Sequence, residues 1–259
     1  MASSVDSVDE AVRRSDMSEA EWLTRVELAA LYRLTALFGW DQVIYNHISA
    51  RVPGEPDAFL VNPFGMTFDE IRASDLAKVY ADGTTVDGKG FGVNAAGFFL
   101  HSVIHEARPD LNCVMHFHSI EVAAVANHPQ GLLPICQEAM ANFATIAYHD
   151  FCGILVDDGE RDGLVKDLGD NNIMLLRNHG VLIAGTTMPA VFNRACNIDR
   201  ACKIQVATLA QGVPPVMPSQ ESVQSVVHTY ARLSGPDLGR REFDAMTRKL
   251  DRIDSSYRN

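Results

Sequence analysis

Two histidines one residue apart, His116 and His118, close the run Cys113-Val114-Met115-His116-Phe117-His118. On a strand alternate side chains share a face, so both imidazoles point one way while Met115 and Phe117 enter the opposite layer. Such a pair is a chelate for a divalent metal; the plain alternative is two polar residues at a strand end. His179 stands between two apolar runs in Arg177-Asn178-His179-Gly180, where Gly180 can take the positive φ of a tight turn. Three neutral imidazoles with an open fourth position form a catalytic metal set, whereas structural sites are closed by four ligands. The open position takes water or a substrate oxygen, which the metal polarises. Residue type alone does not bring His179 to the pair.

The other histidines have plainer readings. His101 and His105 stand four apart on one predicted helix face, but Ser102 replaces the glutamate of the H-E-x-x-H protease pattern, which excludes a zinc protease of that type. Packing or hydrogen bonding behind a site suits them better than ligation. His128 precedes Pro129 in a predicted loop, His149 and Asp150 orient one another or a substrate or else close a turn, and His228 falls in a polar helix. Gly88-Lys89-Gly90-Phe91-Gly92 matches neither phosphate-binding glycine pattern, and there is no G-x-S-x-G elbow. The five cysteines (Cys113, Cys136, Cys152, Cys196, Cys202) contain no C-x-x-C pair, so neither a disulfide framework nor a zinc ribbon is indicated. They read as small buried hydrophobes.

The elements that must position these residues follow from periodicity. Ser18-Glu19-Ala20-Glu21 fits a capping box, and apolar residues at three- and four-residue steps predict a helix from there to Gly39. Tyr45–Val52, Ala58–Val61 and Ala77–Tyr80 read as strands, Ala95–Ala107 as a helix, Asn112–His118 as a strand and Ile120–Ala126 as a helix. Pro134–Ala144 is predicted helical, Ile146–Tyr148 and Ile154–Val156 as short strands, and Arg161–Leu168 as a helix. Ile173–Arg177 and Val181–Ala184 read as strands flanking Asn178-His179-Gly180. A long helix over Met188–Gln211 and two further helices, Gln220–Leu233 and Arg241–Arg252, complete the chain. The long helix carries apolar residues on more than one face, including Phe192, Ile198 and Ile204, which means deep burial or a shared surface. Intermingled strands and helices make this an α/β chain with a mixed sheet. The expected organisation is a flexible tail over residues 1–17 and one domain over 18–259, with C-terminal helices from about 217.

Composition narrows the function. The 259 residues are 47% hydrophobic and 21% charged, enough for a packed core. Lys and Arg number 22 against 33 acidic residues, a formal charge of −11 that argues against a nucleic-acid track. No apolar run approaches the roughly 18–20 residues that span a bilayer, and residues 1–16 lack the apolar segment of a secretory signal. The expectation is a soluble cytoplasmic protein with a small-molecule substrate and neither a nucleic-acid nor a membrane partner.

Four motifs carry a resemblance to a known family: Asn46-His47-Ile48-Ser49, Asn62-Pro63-Phe64-Gly65, Arg108-Pro109-Asp110 followed by Val114-Met115-His116-Phe117-His118-Ser119, and Arg177-Asn178-His179-Gly180. Over roughly Ala20 to Gln211 the chain resembles the class II aldolase/adducin family. The resemblance implies an α/β/α sandwich around a central, largely antiparallel sheet. It also implies a divalent metal on His116, His118 and His179 (zinc first, with manganese or ferrous iron as alternatives) and an active site at a subunit interface of a homotetramer.

The chain departs from the sugar-phosphate aldolases of that family. Their catalytic glutamate ends a Ser-Ser-Glu motif, and at the corresponding distance before Arg108-Pro109-Asp110 stand Ala95-Ala96-Gly97. His47 replaces a phosphate-contacting asparagine, and Phe64 replaces the threonine before the turn glycine, Gly65. Each lost phosphate donor costs roughly 1–3 kcal/mol, so a phosphorylated sugar is disfavoured. Where those aldolases place a tyrosine from the neighbouring subunit, counting reaches Gln137-Glu138. Glu138 is the candidate replacement acid/base, its plain alternative an exposed helical glutamate. His47, Gly65, His101 and Gln137 are the expected substrate contacts, with His47 and His101 suited to a substrate carboxylate and His149 in reserve.

Three functions are compatible with this pattern. The first is a metal-dependent lyase, cleaving a carbon–carbon bond by retro-aldol chemistry or decarboxylation on a non-phosphorylated carbonyl or carboxylate substrate. The second is a non-haem Fe(II) oxygenase, although the set lacks the carboxylate of the common facial triad. The third is a non-catalytic scaffold like the adducin heads. The resemblance makes those heads poorer in metal-site histidines and longer in basic tails than this chain.

Overall fold

A computed structural model describes residues 17–86, 90–151, 153 and 160–259. Helix α1 (Glu19–Phe38) begins where Ser18 accepts a hydrogen bond from the Glu21 amide (3.1 Å) and ends at Gly39, whose φ of 69° suits glycine. Only half of the expected capping box forms, because the Glu21 carboxylate turns to Arg25 and Lys78. The strands follow as β1 (His47–Val52), β2 (Glu55–Val61), β3 (Ala77–Tyr80) and β4 (Thr85–Val86). Then come α2 (Ala95–Ala107), β5 (Cys113–Phe117), α3 (Ile120–Asn127), α4 (Gln137–Asn142), β6 (Ile146–His149), α5 (Arg161–Leu168), β7 (Ile173–Leu176) and β8 (Gly180–Gly185). Helices α6 (Met188–Leu209), α7 (Gln220–Leu233) and α8 (Arg240–Ile253) close the fold.

The strands form one sheet in the order β4-β3-β2-β1-β5-β8-β7-β6, antiparallel throughout except for the parallel pair β6–β7. Alternation along each strand builds two cores. Met115, Phe117, Ile173, Leu175, Val181 and Ile183 meet α1, α3, α6 and α8 on one face. Val114, Met174, Leu176, Leu182 and Ala184 meet α2 and α5 on the other. The architecture is therefore the expected α/β/α sandwich. The central strands β5, β7 and β8 are buried on both faces, whereas β3 and β6 alternate buried with half-buried residues, a period-two pattern that fixes their register.

One expected helix is shorter than its pattern predicted. Only Gln137–Asn142 of the predicted 134–144 segment is α-helical, passing into a 3-10 turn at Phe143–Thr145. The apolar faces of α6 are mostly covered within the chain: Val191, Phe192, Ala195, Ile198, Ala201 and Cys202 are buried, while Val206 is exposed. The predicted strand Ile154–Val156, the residues 1–16 of the expected tail, Gly88, Lys89 and Cys152 lie outside the described residues. No helix among the described residues is long and apolar enough to cross a membrane.

Candidate metal centre

Strand β5 ends at Phe117, so His116 is its last inward-facing residue on the α2 side and His118 follows just beyond the sheet. The hairpin between β7 and β8 supplies His179 opposite them. Its turn works differently from the expectation. Asn178, at φ 57°, takes the left-handed conformation that Asn tolerates. Gly180 has no positive φ; it is required because a Cβ there would lie 2.5 Å from the Phe117 carbonyl oxygen and 2.7 Å from the His118 ring. Side-chain absence, not a special φ, lets β8 close on β5.

The three imidazoles converge. Ring centroids lie 4.5 Å apart for His116–His118, 4.7 Å for His116–His179 and 4.6 Å for His118–His179. One nitrogen from each falls within 4.8 Å of the others. Outer hydrogen bonds orient two of the rings. His116 Nδ1 donates to the Val181 carbonyl at 2.9 Å, and His118 Nδ1 donates to Gln42 Oε1 at 2.7 Å. A neutral imidazole with its proton on Nδ1 has a lone pair on Nε2, and the two Nε2 atoms face each other at 2.6 Å. A contact that short is satisfied by a proton held between the two rings, and a divalent ion would take that proton's place with the nitrogens moved slightly apart. Acceptors behind ligating histidines orient metal sites in this way. The donor set therefore fits a divalent ion of borderline softness such as zinc.

Electrostatics keep the histidines ready to ligate. Burial, then the neighbouring imidazoles, holds His116 well below its ordinary value, and burial with His179 nearby holds His118 down to about 4. His179 is lowered by burial. The neutral form that ligates a metal is thereby favoured near pH 7.

A cavity of about 310 Å³ opens beside the triad, lined by Tyr45, His47, Asn94, Leu100, Phe151 and Asn178, together with Ala96, Gly97 and the three histidines. Helix α2 points its N-terminus at this space, with Asn94 accepting from the Gly97 amide at 3.3 Å as its cap. His47 stacks on His116, its neighbour in the β1–β5 register, at 5.1 Å between centroids. Behind it runs a buried chain of polar groups: His47 Nδ1 to His101 Nε2 at 2.8 Å, His101 Nδ1 to Ser49 Oγ at 2.6 Å, Ser49 Oγ to His105 Nε2 at 2.8 Å, and His105 Nδ1 to the Leu111 carbonyl at 3.2 Å. The expected departures at His47 and Gly97 prove to be one feature. A Cβ at residue 97 would sit 2.3 Å from both Cδ2 and Nε2 of His47. The imidazole occupies the space that a side chain at 97 would need.

The remaining expected site residues separate into two groups. His101 is buried behind His47 and does not line the cavity. Gly65, at φ 119°, turns the chain beside the Phe91 ring and is likewise outside the lining. Gln137 and Glu138 open α4 away from the triad, and Glu138 pairs with the exposed Arg200 at 2.8 Å. His149 donates to Asp167 at 2.7 Å. Sequence reasoning missed Gln42, Tyr45 and Asn94. Gln42 and Tyr45 flank Val43, whose φ of 53° is a strained value for a β-branched residue, and no residue pattern marks that loop as a site.

Comparisons with known proteins agree with this geometry. The family model described as Class II Aldolase and Adducin N-terminal domain matches residues 26–206. A solved structure of an aldolase II superfamily protein from Pseudomonas syringae is 43% identical, covering 96% of this chain and 100% of that one, with a TM-score of 0.92. The L-fuculose 1-phosphate aldolase of Glaciozyma antarctica is 26% identical over 93% of each chain, with a TM-score of 0.80. Rat alpha-adducin is 41% identical over 91% of this chain, which spans 34% of the adducin's length. With the family model spanning the sheet, the histidine strand and the His179 turn, the chain belongs to the class II aldolase and adducin family.

Proposed function

We propose that this protein is a divalent-metal-dependent lyase that cleaves a carbon–carbon bond, by retro-aldol chemistry or decarboxylation, in a small non-phosphorylated carbonyl or carboxylate substrate. The observation that carries the reading is the convergence of His116, His118 and His179, one ring nitrogen of each within 4.8 Å of the others, at the wall of a cavity. These three residues would hold the metal, zinc by the donor set. A bound ion would supply Lewis-acid polarisation of a substrate oxygen. The chain's own groups act around it. The N-terminus of α2 presents its dipole to negative charge developing on the substrate. Phe151 and Leu100 give the cavity an apolar wall.

No Lys or Arg lines the cavity among the described residues, and a phosphate dianion would lack the charged donors it normally meets. This supports a non-phosphorylated substrate, in contrast to the L-fuculose 1-phosphate of the neighbour. Glu138 remains the proposed acid/base. Because it lies apart from the triad of its own chain, the reading requires a homotetramer in which α4 of one subunit approaches the cavity of another. The identity with alpha-adducin favours one second reading, a scaffold that uses the same fold without chemistry.

Metal content of protein purified without added metal tests the reading. About one zinc per chain, lost in His116→Ala and His179→Ala, is expected. Absence of metal together with failure to take up zinc, manganese or ferrous iron would remove the lyase and favour the scaffold.

A further inference from the structure

The buried chain behind the cavity has a direction, and its far end decides the chemistry of its near end. The Leu111 carbonyl only accepts, so His105 Nδ1 carries a proton. His105 is buried, stacked on Phe59 and crowded by Arg51, whose guanidinium donates to the His105 carbonyl. An imidazolium is unfavourable in that setting, which leaves His105 Nε2 as a lone pair. It accepts the Ser49 hydroxyl proton. With its only hydrogen given away, Ser49 Oγ accepts from His101 Nδ1. His101 Nε2 is then bare and accepts from His47 Nδ1. The ring edge left to His47, which lies over Gly97 beside the cavity, carries Nε2 with an unshared pair and no proton.

We propose that the His105–Ser49–His101 relay locks His47 as a hydrogen-bond acceptor, so that the site selects substrates presenting a hydroxyl to His47. This deepens the metal-lyase reading and rests on it for the substrate's second anchor, an oxygen at the three-histidine centre. The substrate class is an α-hydroxy carbonyl or hydroxy acid. In place of the carboxylate expected opposite His47 stands a donor, because an anion facing a neutral lone pair is repelled and unpaired. His47 touches the substrate; His101, Ser49 and His105 are positioning residues, since each acts only through the next.

Long-range 15N–1H correlation spectra of the metal-free protein at pH 7 read the tautomer directly, with His47→Gln identifying the resonances. The expected result is His47 protonated on Nδ1, mixed tautomers in Ser49→Ala and recovery in Ser49→Thr. A proton on Nε2, or an imidazolium, in the wild type overturns the relay. With zinc-loaded protein, glycolate and acetate then compete for the site; they share a carboxylate and differ by one hydroxyl. The wild type is expected to prefer glycolate by about fivefold more than Ser49→Ala does, the worth of one hydrogen bond. An equal preference in both overturns hydroxyl selection. The two readings fail separately. A protein that takes up no zinc but keeps the Nδ1 tautomer loses the metal centre and retains the relay, whereas zinc uptake with His47 protonated on Nε2 does the reverse.

Discussion

At the scale of single residues the site is governed by which atoms are absent. Gly97 opens a helix where alanine would be favoured by about 1 kcal/mol, yet a Cβ there would overlap the His47 ring. Gly97→Ala is therefore expected to lose stability by more than 1 kcal/mol in urea denaturation, opposite in sign to its helix propensity. Restoring the carboxylate with Gly97→Glu is expected to unfold or disorder the site, whereas Gly97→Glu combined with His47→Asn recovers stability. Additive losses in that double variant would refute the shared space. Gln42 works from outside the cavity. Its Oε1 holds the His118 proton on Nδ1, so Gln42→Ala should weaken zinc affinity by about 10–100-fold in competition with a chelator, with the circular dichroism spectrum unchanged.

At the scale of elements, two periodicities meet. Period two turns His47, Ser49 and Arg51 of β1 toward α2, while Ile48, Ala50 and Val52 enter the opposite core. Steps of four along α2 present Gly97, His101 and His105 to that row. A row of three on a strand and a row of three on a helix thus interlock as glycine under histidine and then as an alternating hydrogen-bonded chain. The β7–β8 hairpin adds His179, and Gly180 lets it approach β5. Gly180→Ala is expected to drive β8 from the Phe117 carbonyl and cost several kcal/mol, with loss of zinc binding. Zinc binding and stability kept at wild-type levels would show that the hairpin tolerates a Cβ.

At the scale of the molecule, the buried polar row links stability to pH. Burial holds His47 and His105 down to about 3, and burial with the adjacent imidazoles holds His101 well below 6.5. In the unfolded chain each protonates near its ordinary value of 6.5. As pH falls below 6.5, the unfolded state therefore takes up protons that the folded state refuses, and stability declines down to about 3. Above 6.5 these groups contribute no pH dependence. Each histidine steepens the decline by roughly 1 kcal/mol per pH unit, so the urea midpoint of metal-free protein should fall markedly between pH 7 and pH 5. A midpoint that stays flat over that range would mean that the row is already charged or solvated.

Local pattern made much of this molecule legible. The alternation of Cys113–His118 predicted both the strand and the shared face of His116 and His118, because side-chain direction on a strand depends only on parity. Helix starts at Ser18, Asn94 and Thr187 and the stop at Gly39 follow from backbone groups near in sequence. The family was legible for the same reason, its motifs being short. What the residues could not reveal were the meetings across long separations. Ser49 is an ordinary strand serine until His101 and His105 close on it from another element, and Gln42 is an ordinary loop residue until His118 reaches it. Gly97 read as a lost carboxylate, yet its meaning is the ring of His47 above it. Propensity and parity act over a few residues, whereas excluded volume and the sharing of protons among buried groups depend on which elements pack together, and only the tertiary structure decides that.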